Sequence, residues 1–220
     1  MKKFDLQGTG VALVTPFHKQ GTIDFTSLGR LVDHTIEGGV DYVVCLGTTS
    51  EYPTLSSQEQ LAVVEFTIEK VENRVPVVLG MGGNDTRSLV DKIRQTDMSS
   101  IAAILSVAPY YNKPNQKGLY AHYKAIAEAS NTPIILYNVP GRCGVNMTAE
   151  TTLQLANDFS NIIGIKEASG NMAQCMDILA NKPQGFTVVS GEDALVLPMI
   201  ALGAQGVISV AANAYPNIMS

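Results

Sequence analysis

Cysteine is scarce in this 220-residue sequence, and the three cysteines that occur are scattered along it. Cys45, Cys143 and Cys175 lack the paired spacing of a zinc site, and they are too few for a disulfide framework. Isolated thiols of this kind are typical of cytosolic proteins, where cysteines stay reduced. We therefore expect a cytoplasmic protein that holds neither a disulfide nor a metal.

Charge is sparse as well, since Asp, Glu, Lys and Arg make up 16% of the residues and the formal net charge is −5. This composition offers no basic footprint for a nucleic acid and no polybasic segment for a membrane surface. No stretch is apolar for long enough to cross a bilayer, and Met1–Asp5 does not begin a signal peptide. The sequence thus predicts neither a nucleic acid nor a membrane as a partner.

Hydrophobic residues are abundant at 45%, and they form short runs separated by amphipathic stretches. Strands that are buried on both faces of a parallel sheet have this near-continuous apolar pattern. Eight runs fit it: 10–17, 42–46, 75–80, 102–108, 134–138, 162–166, 186–190 and 206–210. A helix is predicted from Phe25 behind the N-cap Asp24, and another behind a capping box at Ser56–Glu59.

The alternation of strands and helices predicts an α/β fold, a single (β/α)8 TIM barrel over residues 1–220. Alternating elements imply parallel strands, and eight units at a spacing of roughly 30 residues suit a barrel. A doubly wound sheet has a glycine-rich first turn, but Thr15–Phe17 stands at that place. Because the sequence ends shortly after the eighth run, we expect a barrel without its last helix. The outer faces of the first and last strands would then be partly bare.

Lys166 is the candidate nucleophile, since catalytic groups of a barrel gather at the carboxyl ends of its strands. It ends the sixth apolar run, where desolvation would lower the pKa of its ammonium group. A neutral amine can attack a ketone and form a Schiff base. The alternative is a lysine that ends the strand and extends into water, and position alone slightly favours this alternative.

Other strand ends favour the catalytic interpretation. Tyr137, Tyr111 and Thr48 end the fifth, fourth and second runs, and their hydroxyl groups can relay protons. Arg142 follows Tyr137 closely, and a guanidinium can hold a carboxylate through two parallel hydrogen bonds. Each residue alone has an ordinary explanation as packing or surface, but together they predict a keto acid bound beside an amine.

Four motifs, GTTSE at 47–51, PYYNKP at 109–114, YNVPGR at 137–142 and GIKEASG at 164–170, resemble the dihydrodipicolinate synthase family. The resemblance runs in order through the chain and includes residues 206–210. It implies a class I aldolase-like lyase of lysine and diaminopimelate biosynthesis that condenses pyruvate with L-aspartate 4-semialdehyde and uses no cofactor. It also implies a homotetramer built from dimers, or a homodimer.

The resemblance further implies a catalytic role for four residues. Lys166 is similar to the Schiff-base lysine of the family, and Tyr137 to its proton donor and acceptor. Thr48 and Tyr111 are similar to the rest of the proton relay. In the family, the tyrosine at the position of Tyr111 reaches into the site of a neighbouring subunit.

Four more residues are implied to contact substrate. Thr49 and Ile208 are similar to the pyruvate contacts, and Arg142 to the residue that holds the carboxylate of the semialdehyde. Gly191 is expected to line the same pocket.

Three alternatives stay open at this point. N-acetylneuraminate lyases and 2-keto-3-deoxygluconate aldolases share the lysine and the tyrosine, although Thr48 and Arg142 favour the synthase over the sialic-acid lyases. The third alternative is an inactive barrel, because family members continue past Ser220 into the last barrel helix and a small helical domain. The sequence departs from the family at Ser50, where a glycine is usual, and we expect the turn to be kept.

A further departure generates the first prediction. Regulated members of the family bind lysine near the dimer interface, where Asn84 and Tyr110 match but the usual serine, histidines and glutamate are replaced by Tyr52, Ser57, Gln60 and Ser88. We predict that millimolar L-lysine inhibits turnover weakly or not at all. A turnover assay with and without lysine checks this, and strong inhibition would contradict it.

Overall fold

The computed structural model describes residues 4–220, and its strands close into one parallel barrel. The strands follow one another around the barrel in chain order: β1 Gly8–Ala12, β2 Tyr42–Cys45, β3 Val77–Gly80, β4 Ala103–Val107, β5 Ile134–Asn138, β6 Ile162–Glu167, β7 Thr187–Ser190 and β8 Gly206–Ser209. The barrel closes where β8 returns to β1, with Gly8 opposite Gly206. The predicted (β/α)8 fold is confirmed.

Helices connect the strands and form the outer layer. Their bounds are α1 Phe25–Glu37, α2 Ser57–Val71, α3 Thr86–Gln95, α4 Gln116–Ala129, α5 Pro140–Cys143, α6 Ala149–Asp158, α7 Met172–Asn181, α8 Val196–Ala201 and α9 Pro216–Met219. Within residues 4–220, no helix has the length and apolar character needed to cross a membrane.

The predicted helix starts are confirmed, and the first strand ends five residues earlier than predicted. The Asp24 side chain accepts a hydrogen bond from the Ser27 amide, and Ser56 and Glu59 form the reciprocal capping box. The first apolar run, predicted to extend to residue 17, leaves the sheet after Ala12. Pro16 lies in the segment beyond it and has no N–H to donate to a neighbouring strand.

The expectation of bare outer faces on the first and last strands is wrong. The residues after β8 run back along β1, where the Asn213 side chain donates to the Ala12 carbonyl at 2.8 Å and the Thr9 hydroxyl donates to the Met219 carbonyl at 2.6 Å. Both strands are consequently buried. Exposed apolar side chains lie one layer further out, on α8 at Leu197 and on α9 at Ile218.

The closure of the barrel generates the second prediction. A Cβ atom at Gly206 would collide with the backbone of Gly8, which cannot move without separating β8 from β1. We expect Gly206→Ala to lower the free energy of unfolding by about 2 kcal/mol or more, the magnitude typical of overpacking. Gly83→Ala is the matched control, because nothing lies within 4 Å of a Cβ atom there. Equal melting temperatures for the two variants would contradict the prediction.

Candidate active site

Lys166 and Tyr137 form the centre of the candidate site. They lie opposite each other in the register of β6 and β5, and Lys166 Nζ is 4.4 Å from the centroid of the Tyr137 ring. Only 3% of Lys166 and 4% of Tyr137 is exposed. The structure therefore places the predicted nucleophile in a buried position against the predicted proton donor, not in solvent.

Thr48 lies beside this pair in a 3-10 turn, Thr48–Ser50, that follows β2. Its Oγ1 is 3.4 Å from the Tyr137 hydroxyl, a long hydrogen bond of the kind often seen before substrate binds. The Ser50 hydroxyl donates to the Gly47 carbonyl at 2.7 Å, and the Thr15 hydroxyl donates to the Ser50 carbonyl at 2.8 Å. Serine at position 50 thus keeps the turn, as expected.

The surroundings of Lys166 favour a reactive amine. The Lys166 pKa is lowered from 10.5 to about 8, chiefly by burial. The carboxylates of Asp193 and Glu192 oppose this shift, and the Arg142 guanidinium adds to it. At that pKa, roughly a tenth of the amine is neutral at pH 7, against about one part in 3,000 for a lysine in water. Only the neutral amine attacks a carbonyl, so the site increases the neutral fraction of Lys166 by a factor of about 300.

The pKa of the Tyr137 hydroxyl is shifted in the opposite direction to that of Lys166. Burial raises its pKa, while the hydrogen bond with Thr48 and the charge of Arg142 lower it. The phenol is therefore protonated at neutral pH and can donate a proton to an oxygen atom that forms next to Lys166.

Gly191 provides space for the lysine side chain. A Cβ atom at Gly191 would lie 3.0 Å from Lys166 Cε and 2.6 Å from Ala168 Cβ, so no other residue fits without displacing them. The Gly191 amide donates to the Glu167 carbonyl at 2.8 Å, which holds this backbone against β6.

Two other predicted contacts lie on the elements around the site. Thr49 is half-buried in the same turn as Thr48. Ile208 is fully buried in β8, opposite Gly10 at the closure of the barrel. Their contacts with a substrate stay predictions.

Arg142 stands on the one-turn helix α5, directly after β5, and is exposed. Its charge lowers the pKa of both Lys166 and Tyr137. Among residues 4–220 no carboxylate forms a salt bridge with its guanidinium. The group can therefore receive an anionic substrate at the edge of the site.

Tyr111 is the one predicted catalytic residue that a single chain does not bring to the site. Its side chain is 85% exposed, and its backbone is in the left-handed region with φ of 68°. It makes no hydrogen bond to Thr48 or Tyr137 within the described chain. Its role in the relay stays a prediction that depends on a second subunit.

The sequence did not identify two acidic side chains that act on Lys166. Asp193 and Glu192 follow β7, and both raise the lysine pKa. Asp193 Oδ2 also accepts hydrogen bonds from the Val210 and Ala211 amides at 3.1 and 2.9 Å, which ties the loop after β7 to the loop after β8. The sequence shows polar residues after the seventh run, but their approach to Lys166 depends on the fold.

Thr48 and Tyr137 line a narrow cavity of about 10 Å³ at the ends of β2 to β5, which has room for about one water molecule. A wider surface groove, lined by Thr22, Phe25, Glu59 and their neighbours, contains none of the predicted site residues. Within the described part of the chain, no three His, Cys, Asp or Glu side chains are placed to hold a metal ion.

Comparison with known proteins gives a consistent result. The profile of the Dihydrodipicolinate synthetase family matches residues 5–220. The 4-hydroxy-tetrahydrodipicolinate synthases of Parabacteroides distasonis and Porphyromonas gingivalis are 54% and 53% identical to this chain over 220 residues, which is 100% of this chain and 74% of each relative.

Solved structures agree with the sequence comparison. Dihydrodipicolinate synthase from Aquifex aeolicus superposes with a TM-score of 0.92 and 41% identity, covering 97% of this chain and 73% of that one. The chloride-inhibited enzyme from Acinetobacter baumannii, complexed with pyruvate, superposes with a TM-score of 0.93 and 43% identity, covering 98% and 74%.

The electrostatics of Lys166 generate the third prediction. The rate at which a keto acid is trapped on Lys166 by borohydride should rise about tenfold per pH unit below the pKa of about 8 and level off above it. Asp193→Asn should move this midpoint to lower pH, because the carboxylate raises the lysine pKa. Mass spectrometry of the reduced adduct across the pH range measures both, and an unchanged midpoint in the variant would contradict the assignment.

Proposed function

The chain belongs to the Dihydrodipicolinate synthetase family, whose members are pyruvate-dependent lyases of the class I aldolase type, and on that premise we propose the following reaction for it. The protein is a 4-hydroxy-tetrahydrodipicolinate synthase, which condenses pyruvate with L-aspartate 4-semialdehyde through a Schiff base on Lys166. The observation that carries the proposal is the buried Lys166 amine, with its pKa lowered to about 8, packed against Tyr137.

The residues of the site account for the first half of the reaction. The neutral Lys166 amine attacks the ketone carbon of pyruvate, and the carbonyl oxygen takes a proton from the Tyr137 hydroxyl. The carbinolamine then loses this oxygen as water and leaves an imine on Lys166. Thr48, 3.4 Å from the Tyr137 hydroxyl, is the next member of the relay that returns the proton.

The second half joins the two substrates. Loss of a methyl proton converts the imine to an enamine, whose carbon attacks the aldehyde carbon of the semialdehyde. Arg142 holds the semialdehyde carboxylate during this step. The amino group of the semialdehyde then attacks the imine carbon, displaces Lys166 and closes the ring. Thr49, Ile208 and Gly191 surround the pyruvate part.

Tyr111 supports an assembly of two or four copies of this chain. A bulky residue in the left-handed backbone region costs about 1 kcal/mol or more, and such strain persists where surroundings enforce it. Within residues 4–220, Tyr111 is 85% exposed, so these residues do not enclose its ring. We infer that a second copy receives it beside its own Thr48, in a homodimer or homotetramer that acts in the cytoplasm.

The region expected to bind lysine in regulated relatives already holds a cation. Lys92 Nζ donates to Gln60 Oε1 at 2.8 Å. A second ammonium group would be repelled there, which supports the prediction that lysine inhibits this chain weakly or not at all.

The proposed function is tested by trapping and turnover. Pyruvate followed by borohydride should label Lys166, and Lys166→Met, an unbranched side chain one atom shorter that has no amine, should abolish the label. The wild-type protein should also turn over aspartate semialdehyde in the presence of pyruvate, and it should not cleave N-acetylneuraminate. Labelling with turnover of N-acetylneuraminate instead would identify a sialic-acid lyase, and labelling with no turnover would identify an inactive barrel.

The position of Tyr111 generates the fourth prediction. Tyr111→Phe should reduce kcat about 10²-fold, the lower range for loss of an acid–base group, without changing the oligomeric mass. Mixing it with Lys166→Met should restore part of the activity, because a subunit of the second variant lends its tyrosine to a site with an intact lysine. Tyr215→Phe, another exposed tyrosine, is the control and should change nothing. Loss of activity that mixing cannot restore would contradict the shared site.

A further inference from the structure

A buried carboxylate that the proposed reaction does not use lies directly behind the Lys166–Tyr137 pair. Glu167 follows Lys166 on β6, Asn138 follows Tyr137 on β5, and the two lie opposite each other in register. Successive residues of a strand point to opposite faces, so these side chains point away from the reacting pair. Glu167 is 1% exposed and Asn138 is fully buried.

The Glu167 carboxylate is held by hydrogen-bond donors that carry no charge. Among residues 4–220 it enters no salt bridge, and its partners are Asn138 Nδ2 at 3.0 Å, the Ser169 amide at 2.7 Å and Gln174 Nε2 at 3.1 Å. All three groups are donors, which satisfies the carboxylate oxygens. Burying a charge without a counter-ion still costs on the order of several kcal/mol of folding free energy. Stability alone therefore does not explain a carboxylate at this position.

What the carboxylate does determine is the orientation of the amides around it. Because Glu167 can only accept, Asn138 must turn its Nδ2 toward it, which leaves the side-chain oxygen, Asn138 Oδ1, to face the next loop. Asn138 Oδ1 accepts from the Met147 amide at 2.9 Å, and Asn138 Nδ2 also donates to Asn146 Oδ1 at 2.8 Å. The far end of the loop that leaves β5 is thereby bonded back to the end of that strand.

Gln174 repeats the arrangement from α7. Its Nε2 donates to Glu167 and also to the Met147 carbonyl at 3.1 Å, and its Oε1 accepts from Asn146 Nδ2 at 2.8 Å. The loop 139–148 is therefore fixed at residues 146 and 147 by two amides, and Glu167 sets the orientation of both. This loop carries Arg142.

We propose that Glu167 is a positioning residue for Arg142. By orienting Asn138 and Gln174 it fixes the loop 139–148, and so sets where the guanidinium meets the carboxylate of the second substrate. The position of Lys166 does not depend on Glu167, since β5 and β6 are joined there by backbone pairing and by the Ala168 amide, which donates to the backbone carbonyl of Asn138 at 2.9 Å. The proposal rests on the proposed function and deepens it.

The test replaces Glu167 by glutamine, which keeps the shape but turns an NH2 donor toward groups that are themselves donors. In Glu167→Gln, borohydride trapping of pyruvate on Lys166 should keep its rate within about twofold and its pH midpoint. The KM for aspartate semialdehyde should rise about tenfold or more with a smaller change in kcat, because a carboxylate-binding group is misplaced. An unchanged KM would overturn the proposal.

A double-mutant cycle separates positioning from general destabilisation. Arg142→Ala should raise the semialdehyde KM, and adding Glu167→Gln to it should raise it little further, because both changes remove the same interaction. Full additivity would overturn the proposal. If Glu167→Gln does not fold, Gln174→Ala on the half-exposed α7 face provides the same test with a smaller expected rise in KM.

Asn161→Ala is the matched control at the opposite end of β6. The Asn161 side chain donates to the Ala127 and Ser130 carbonyls at 2.9 and 3.0 Å, so its loss should lower the melting temperature and leave the semialdehyde KM unchanged. A wild-type protein that forms no pyruvate adduct would refute the proposed function itself. A wild-type protein that turns over, with a Glu167→Gln variant equal to it, would refute only the positioning role.

Discussion

The burial of one amine is the constraint on which the rest of the site depends. Holding Lys166 at 3% exposure lowers its pKa from 10.5 to about 8, which corresponds to about 3 kcal/mol against the charged form. A lysine in that position has to be accommodated by its neighbours. Gly191 has no side chain where Lys166 Cε passes, and the ring of Tyr137 covers the amine at 4.4 Å. The space at Gly191 and the Tyr137 ring thus keep Lys166 buried, and this burial is what makes its amine reactive.

Sequence patterns predicted the barrel, and they placed three residues of the candidate site at its carboxyl rim, because both inferences follow from local regularities. Apolar runs mark parallel strands, and the residues that follow each run lie at the carboxyl rim, so the sequence alone predicts that Lys166, Tyr137 and Thr48 lie together. The acidic pair Glu192–Asp193 could not be placed in this way, since its approach to Lys166 depends on how two loops fold. The role of Tyr111 could not be placed for a different reason, because its predicted partners belong to a second subunit.

The period of two along a strand gives β5 and β6 two functions at once. One row, Tyr137 and Lys166, faces the chemistry, and the next row, Asn138 and Glu167, faces the helices. The side-chain amides of Asn138 and Gln174 can each take two orientations. The Glu167 carboxylate only accepts hydrogen bonds, so it selects the orientation in which each NH2 group faces it. A hydrophobic pair would pack there, but it would leave the loop with Arg142 without its hydrogen bonds to β5.

The charges around Lys166 have to serve two states of the proposed reaction that differ in charge. Attack on the ketone requires a neutral amine, which burial provides. The imine that follows must be protonated to lose its methyl proton, and this places a positive charge in the same buried position. Asp193 and Glu192 raise the proton affinity of that nitrogen, and the face of the Tyr137 ring attracts a cation. A pKa near 8 is therefore a balance: further burial without the carboxylates would favour the attack and penalise the iminium, while stronger carboxylates would hold the lysine protonated before pyruvate arrives.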